Sequence, residues 1–200
     1  MRPHLSPRHA LIAALATAAL ATGATAAFAA PAGPAPVHGT LRPLVELSAQ
    51  RVLVADEVAA AKWGTDSPID DPAREREVLD AVARQAEELG ADPVATSRIF
   101  RDQIEASKVV QRGLYRRWDA DPAQAPTERP DLGRIRLEIN RINGELVRAI
   151  ADSAAVREAP SCVGRLTVGA AAVIHGRHLD ALHGVALGRS LPSVCDRAAR

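Results

Sequence analysis

Aspartate followed by proline, at 71–72 and again at 92–93, opens two long stretches whose apolar residues recur every three or four positions. An aspartate side chain can cap the free backbone N–H groups at a helix start, and proline suits the first turn because it has no N–H to lose. Asp131, directly after Pro130, marks a third start of the same kind. The ends are equally legible. Gly64 and Gly90 suit the residue after a helix, and Pro122, Pro126 and Pro130 cannot share one helix. The spacing predicts helices over about 43–63, 72–90, 93–118 and 131–155. Pro160-Ser161 interrupts the chain, and two shorter helices are expected near 163–175 and 177–188, with 119–130 a proline-rich link. No alternating β-branched run is long enough for a sheet. The expectation is an all-α fold, a compact bundle of five to six helices.

The N-terminus has the layout of a secretory signal peptide. Arg2 and Arg8 give a positive start, an Ala-rich apolar stretch runs over 10–26, and Ala27-Phe28-Ala29 is an A-x-A cleavage signal followed by Pro31 and Pro34. A transmembrane anchor is the alternative, but Ala, Thr and Gly make a weakly hydrophobic span. The expected organisation is a cleaved signal over 1–30, a linker over 31–42 and one domain over 43–200, in a protein that is exported and not inserted in the membrane. About 165 residues suit a single core. Cys162 and Cys195 are the two cysteines. An even count in an exported chain reads as one disulfide.

Composition removes several classes. A formal net charge of +1 and 2% aromatics disfavour nucleic acid or an anionic membrane as partner. No C-x-x-C pattern occurs, and His175, His178 and His183 stand without acidic residues at ligand spacing, so no metal is expected.

The functional signal lies in polar residues on apolar stripes. In the first helix Leu44, Leu47, Val54, Ala55 and Val58 form a stripe that also holds Arg51 and Lys62. Those two are eleven residues apart, three helical turns, and point the same way. In the third helix Phe100, Ile104, Leu114 and Trp118 have core spacing, and Ser107 and Gln111 complete the series. Arg136 flanks the stripe Leu132, Ile135, Ile139, Ile142, Leu146, while Arg74 and Glu75 lie in the first turn after Asp71. Each has an ordinary structural explanation: an arginine snorkels to water, a core Ser or Gln satisfies a neighbour, Asp71 is a cap. Together, core-facing cations without matching buried carboxylates point to a dry pocket for a small dianion.

These residues also carry a resemblance. Arg51 with Lys62-Trp63; Pro68-Ile69-x-Asp71-x-x-Arg74; Asp102-Gln103-Ile104 leading to Ser107, Gln111 and Trp118; Pro130-Asp131-Leu132 before Arg136; Ala159-Pro160-Ser161-Cys162; Arg177-His178-Leu179-Asp180; and Cys195 follow one another as in the exported, AroQ-type chorismate mutases. The likeness covers about 44–195. It implies a cofactor-free isomerase that turns chorismate into prephenate in aromatic amino acid biosynthesis. It implies that Arg51, Arg74 and Arg136, helped by Ser107, bind the two carboxylates, and that Lys62 and Gln111 donate to the ether oxygen. Asp71 and Glu75 would lie near the ring hydroxyl. It further implies a periplasmic or secreted homodimer with one disulfide. Ser107, Gln111 and Glu75 depart toward the cytosolic pattern, since some exported members carry Thr and Glu at the first two positions and an apolar residue at the third, with a glutamine further along. The competing expectations are an isochorismate-pyruvate lyase on the same fold and a non-catalytic exported helical binding protein.

Overall fold

The computed structural model describes residues 40–195. The A-x-A signal and residues 1–30, with most of the expected linker, lie outside that range. Every described element is helical: α1 Arg42–Lys62, α2 Pro72–Glu88, α3 Pro93–Ala120, a 3-10 turn Pro122–Gln124, α4 Leu132–Asp152, α5 Ala154–Glu158, α6 Cys162–Gly176 and α7 Ala181–Arg189. Among the described residues no helix is long and apolar enough to cross a membrane.

The predicted caps work as expected. Asp71 accepts from the Arg74 N–H, Asp92 from Val94 and Ala95, and Asp131 from Gly133 and Arg134. Gly64 and Gly90 take positive φ values of 66° and 69°, a region that favours glycine. Most boundaries shift by one or two residues, α3 running on to Ala120, and three differences have a local cause. α1 begins one residue early, with Leu41 already buried. The expected helix over 131–155 divides at Ser153, whose hydroxyl donates back to the Ala149 carbonyl, a local bond that competes with helix continuation. The last helix begins at Ala181 rather than 177, because His178 turns left-handed at φ 52° and Asp180 caps the new start through the His183 N–H.

α1 is the central helix, packed between α3 and α4, with α2 spanning the same two and α6 and α7 closing one end. The largest part of the core joins Leu44 and Val45 of α1 to Ile99, Phe100, Ile142, Leu146, Ile150 and Leu187. Toward the other end, Val52, Ala55 and Ala59 meet Ala106, Val110, Leu114 and Trp118. The small alanines allow α1 and α3 to approach closely there. A third patch joins Val58 and Ala61 to Ile135 of α4. Asp102 and Gln103 belong to this scaffold. Gln103 donates to Ser48 Oγ at 2.9 Å and to the Ser190 carbonyl at 3.1 Å, while Asp102 accepts from Arg189 and the Ser193 N–H.

Cys162 and Cys195 form the disulfide, joining the start of α6 to the tail after α7. Cross-linking residues 33 positions apart restricts the unfolded chain, an entropic effect of roughly 3–4 kcal/mol. Reduction is therefore expected to lower the melting temperature markedly. Activity of the cleft described below should survive at moderate temperature, because that cleft is built from α1 to α4. Thiol titration before and after reduction, paired with thermal melts, checks this. Two free thiols in the unreduced protein would contradict it.

The histidines correct the sequence expectation. His175 and His178 stay near each other, with ring centroids 6.4 Å apart, but His183 is buried between two acids, Asp180 three residues before it and Asp56, which only the fold brings near. Its Nε2 lies 2.8 Å from Asp56 Oδ1 on α1 and its Nδ1 lies 2.6 Å from Asp180 Oδ1. The bond to Asp56 is the largest influence, and with Asp180 it outweighs burial, raising His183 from 6.5 to about 9. A group whose pKa rises on folding stabilises the fold fully below its unfolded value and loses that contribution as pH climbs through the folded one. The melting-temperature difference between wild type and His183→Gln should accordingly be widest near pH 6 and shrink by pH 10. Melts of both proteins across that range test it. A difference independent of pH would mean that His183 acts by packing alone.

Candidate active site

Three of the four long helices bring their misplaced polar residues to one place, and α2 supplies the fourth wall. A cleft of about 120 Å³ is lined by Arg51, Val58 and Lys62 of α1 and by Asp71, Arg74, Glu75 and Val78 at and after the start of α2. α3 contributes Ile104, Ser107, Lys108 and Gln111, and α4 contributes Leu132, Arg136 and Ile139. Ile69 closes it from the α1–α2 loop. All eight residues singled out from the sequence thus face one cleft. It is not the enclosed, dry cavity expected: Arg136 is exposed, and Lys62, Asp71, Arg74, Glu75 and Ser107 are half-buried.

Arg51 is the deepest cation, at 7% exposure. Its guanidinium donates to Asn143 Oδ1 on α4 and sits 5.7 Å from the Phe100 ring centroid. Burial pulls its pKa down to about 10, so it stays charged at neutral pH. Lys62 ends α1, fixed by Trp63, whose ring packs edge-on against Tyr115 and Trp118 with centroids 4.8 and 5.2 Å away. The Lys62 ammonium donates to the Pro68 carbonyl at 2.7 Å. Burial lowers its pKa from the ordinary lysine value, with Arg136 adding to the effect against the opposing charges of Asp71, Asp70 and Glu75. Arg51, Lys62 and Arg136 meet no carboxylate in an ion pair among the described residues. Arg74 differs, pairing at 2.8 Å with Glu77 on its own helix.

Gln111 is 4% exposed, and its amide donates to Ser107 Oγ at 3.1 Å while its Oε1 is buried without a partner. An amide and a hydroxyl one turn apart therefore stand as a preformed polar pair on an otherwise apolar wall of Val58, Ile104 and Ile139. Chemically, the cleft offers cations at several depths, neutral donors between them, and two carboxylates, Asp71 and Glu75, at one side.

Sequence reasoning missed two residues here. Lys108 lines the cleft at 7% exposure and binds three carboxylates: Glu75 and Glu105 at 2.8 Å and Asp70 at 3.2 Å. Burial draws its pKa down, but the three hydrogen bonds outweigh that and hold it above the ordinary value. Its signal was its rarity: with Lys62 it is one of only two lysines in an arginine-rich chain. Asn143, 6% exposed, stands one turn beyond Ile139 on the α4 stripe, and only the arrival of Arg51 from α1 explains it.

Comparisons with known proteins agree with this architecture. The chorismate mutase type II family profile matches residues 42–112, which hold most of the cleft. The secreted chorismate mutase of Mycobacterium tuberculosis is 36% identical over 155 residues, covering 78% of each chain. That of Mycolicibacterium smegmatis is 37% identical over 155 residues, covering 78% of this chain and 86% of the relative. The crystal structure of chorismate mutase from Burkholderia thailandensis superposes with a TM-score of 0.74 at 37% identity, over 78% of this chain and 98% of that one.

Proposed function

The chain belongs to the type II chorismate mutase family, and from that premise we propose that this cleft binds chorismate and rearranges it to prephenate by electrostatic preorganisation. The observation that carries the proposal is one cleft in which Arg51, Lys62, Arg74 and Arg136 converge with Ser107 and Gln111.

The reaction is a pericyclic rearrangement within a single molecule, so the chemistry asks for neither nucleophile nor redox cofactor. Its first requirement is conformational. The enolpyruvyl arm must fold over the ring, and clamping both carboxylates holds it there. In this reading Arg51 at the floor and Arg136 at the mouth take different carboxylates, each guanidinium fork binding both oxygens of one group. Ser107 assists with its hydroxyl. Arg74 joins them by exchanging Glu77 for the ligand. The second requirement is at the ether oxygen. C–O cleavage runs ahead of C–C bonding, so negative charge grows on that oxygen. Lys62 and Gln111 donate to it, and donors held in place before the reaction stabilise the transition state more than the ground state. Asp71 and Glu75 lie at the side that would receive the ring hydroxyl.

The N-terminal signal layout and the names of the secreted relatives support export of the mature protein. Homodimerisation is proposed from the family resemblance, and light scattering on the mature protein tests it. The test of function is chorismate disappearance with prephenate formation by the mature, oxidised protein. Release of pyruvate from isochorismate, without chorismate turnover, would favour the lyase instead, and inertness toward both would leave a binding protein.

A further inference from the structure

Lys108 is the least expected charge in the cleft. Five cationic side chains line it; Arg51, Lys62 and Arg136 meet no carboxylate in an ion pair among the described residues, and Arg74 pairs with Glu77 of its own helix. The fifth, Lys108, spends its charge on the protein's own carboxylates. Its ammonium lies 2.8 Å from Glu75 Oε1, and thereby ties the first turn of α2 to the middle of α3. On its far side it meets Glu105 of α3 and Asp70 of the α1–α2 loop. Asp70 is also held by Arg112, one turn along α3, through both carboxylate oxygens at 2.7 Å. Of the three carboxylates bound to Lys108, Glu75 is the one that lines the cleft.

A dianionic ligand makes the arrangement consequential. An uncompensated Glu75 would repel it, and would also be free to swing toward Lys62 or Arg136 and quench the cations that bind substrate. From these contacts, and resting on the chorismate-binding reading above, we propose that Lys108 is a positioning residue: it draws the Glu75 carboxylate against α3 and neutralises it, so that Glu75 does not oppose the cations that would meet a dianion.

The charges in contact with Lys108 are Glu105 from α3, Asp70 from the loop and Glu75 from α2, with Arg112 of α3 joined to the group through Asp70. Replacing Lys108 by a neutral residue leaves three carboxylates around one spot with Arg112 touching only Asp70. Because this field acts on substrate and transition state alike, its loss should appear in KM and much less in kcat.

The experiment compares wild type, Lys108→Met, Lys108→Arg, Glu75→Gln and the double variant Lys108→Met/Glu75→Gln, with chorismate at 20 and 300 mM salt. Lys108→Met should raise KM about tenfold at low salt, and the deficit should narrow at high salt as the repulsion is screened. Lys108→Arg, which keeps the charge, should stay within about threefold of wild type. In the Glu75→Gln background, Lys108→Met should change KM less than about twofold, since residues that act through each other are non-additive. A wild-type KM in Lys108→Met, or an undiminished deficit beside Glu75→Gln, overturns the proposal. If Lys108→Met does not fold, Lys108→Gln carries the same test, and failure of both to fold overturns it in favour of a purely structural lysine. A wild-type protein that ignores chorismate fails the functional reading itself, which is a separate outcome.

Discussion

Lys62→Ala is expected to lower kcat/KM for chorismate by roughly a hundredfold or more, the usual scale for removing one preorganised donor from developing charge. The structure explains why no neighbour can substitute. Lys62 is the last residue of α1, and the Trp63–Tyr115–Trp118 cluster fixes that end of the helix. Arg51 lies three turns deeper and is held by Asn143. Arg136 is exposed at the mouth. The fold should survive, because the ammonium's recorded hydrogen bond is to a single loop carbonyl, Pro68, and a partly buried cation adds little net stability. Initial rates against chorismate concentration measure the effect, and circular dichroism reports the fold. Near-normal turnover in a folded Lys62→Ala protein would remove Lys62 from the chemistry. Lys62→Arg is not a conservative rescue, since a planar fork cannot occupy the position of a compact ammonium.

The second large effect concerns pH and Gln111. The group facing the ether oxygen must donate a hydrogen bond, and a glutamine amide does so without titrating. Wild-type kcat/KM should therefore be nearly flat from about pH 5.5 to 8.5. Its decline on the alkaline side follows loss of a proton from the cleft's buried cations: burial draws Lys62 below the ordinary lysine value and Arg51 down to about 10. Gln111→Glu should behave differently. A carboxyl in this buried place donates only while protonated, so its activity should fall steadily as pH rises, the variant approaching wild type only under acid conditions. Rates for both proteins in one constant-ionic-strength buffer series decide the matter. A wild-type profile already falling steeply through neutrality would point to another titrating group. An unchanged profile in Gln111→Glu would take Gln111 away from the ether oxygen.

How much of this was legible in the chain depends on the range of the interaction. Helix starts at Asp71-Pro72, Asp92-Pro93 and Asp131 are set by side chains bonding their own next turn, and all three were readable. So were Arg51, Lys62, Ser107 and Gln111, because a polar residue interrupting an apolar stripe shows in one helix alone. The break at Ser153 was missed because only the turn geometry there ends the helix, and the late start of α7 because the left-handed turn at His178 does not show in spacing and the Asp180 cap was not read.

What the sequence determined by itself was therefore the helical class, the caps and the faces on which charge would be misplaced. The tertiary structure alone decided which faces meet. Asn143 under Arg51 spans 92 positions, and Asp56 beside His183 spans 127, separations at which no local periodicity carries information. Lys108 illustrates the same divide. On its own helix it is a lysine next to Glu105; only the packing of α2 and the loop against α3 surrounds it with Glu75 and Asp70 and excludes enough water for their charges to matter.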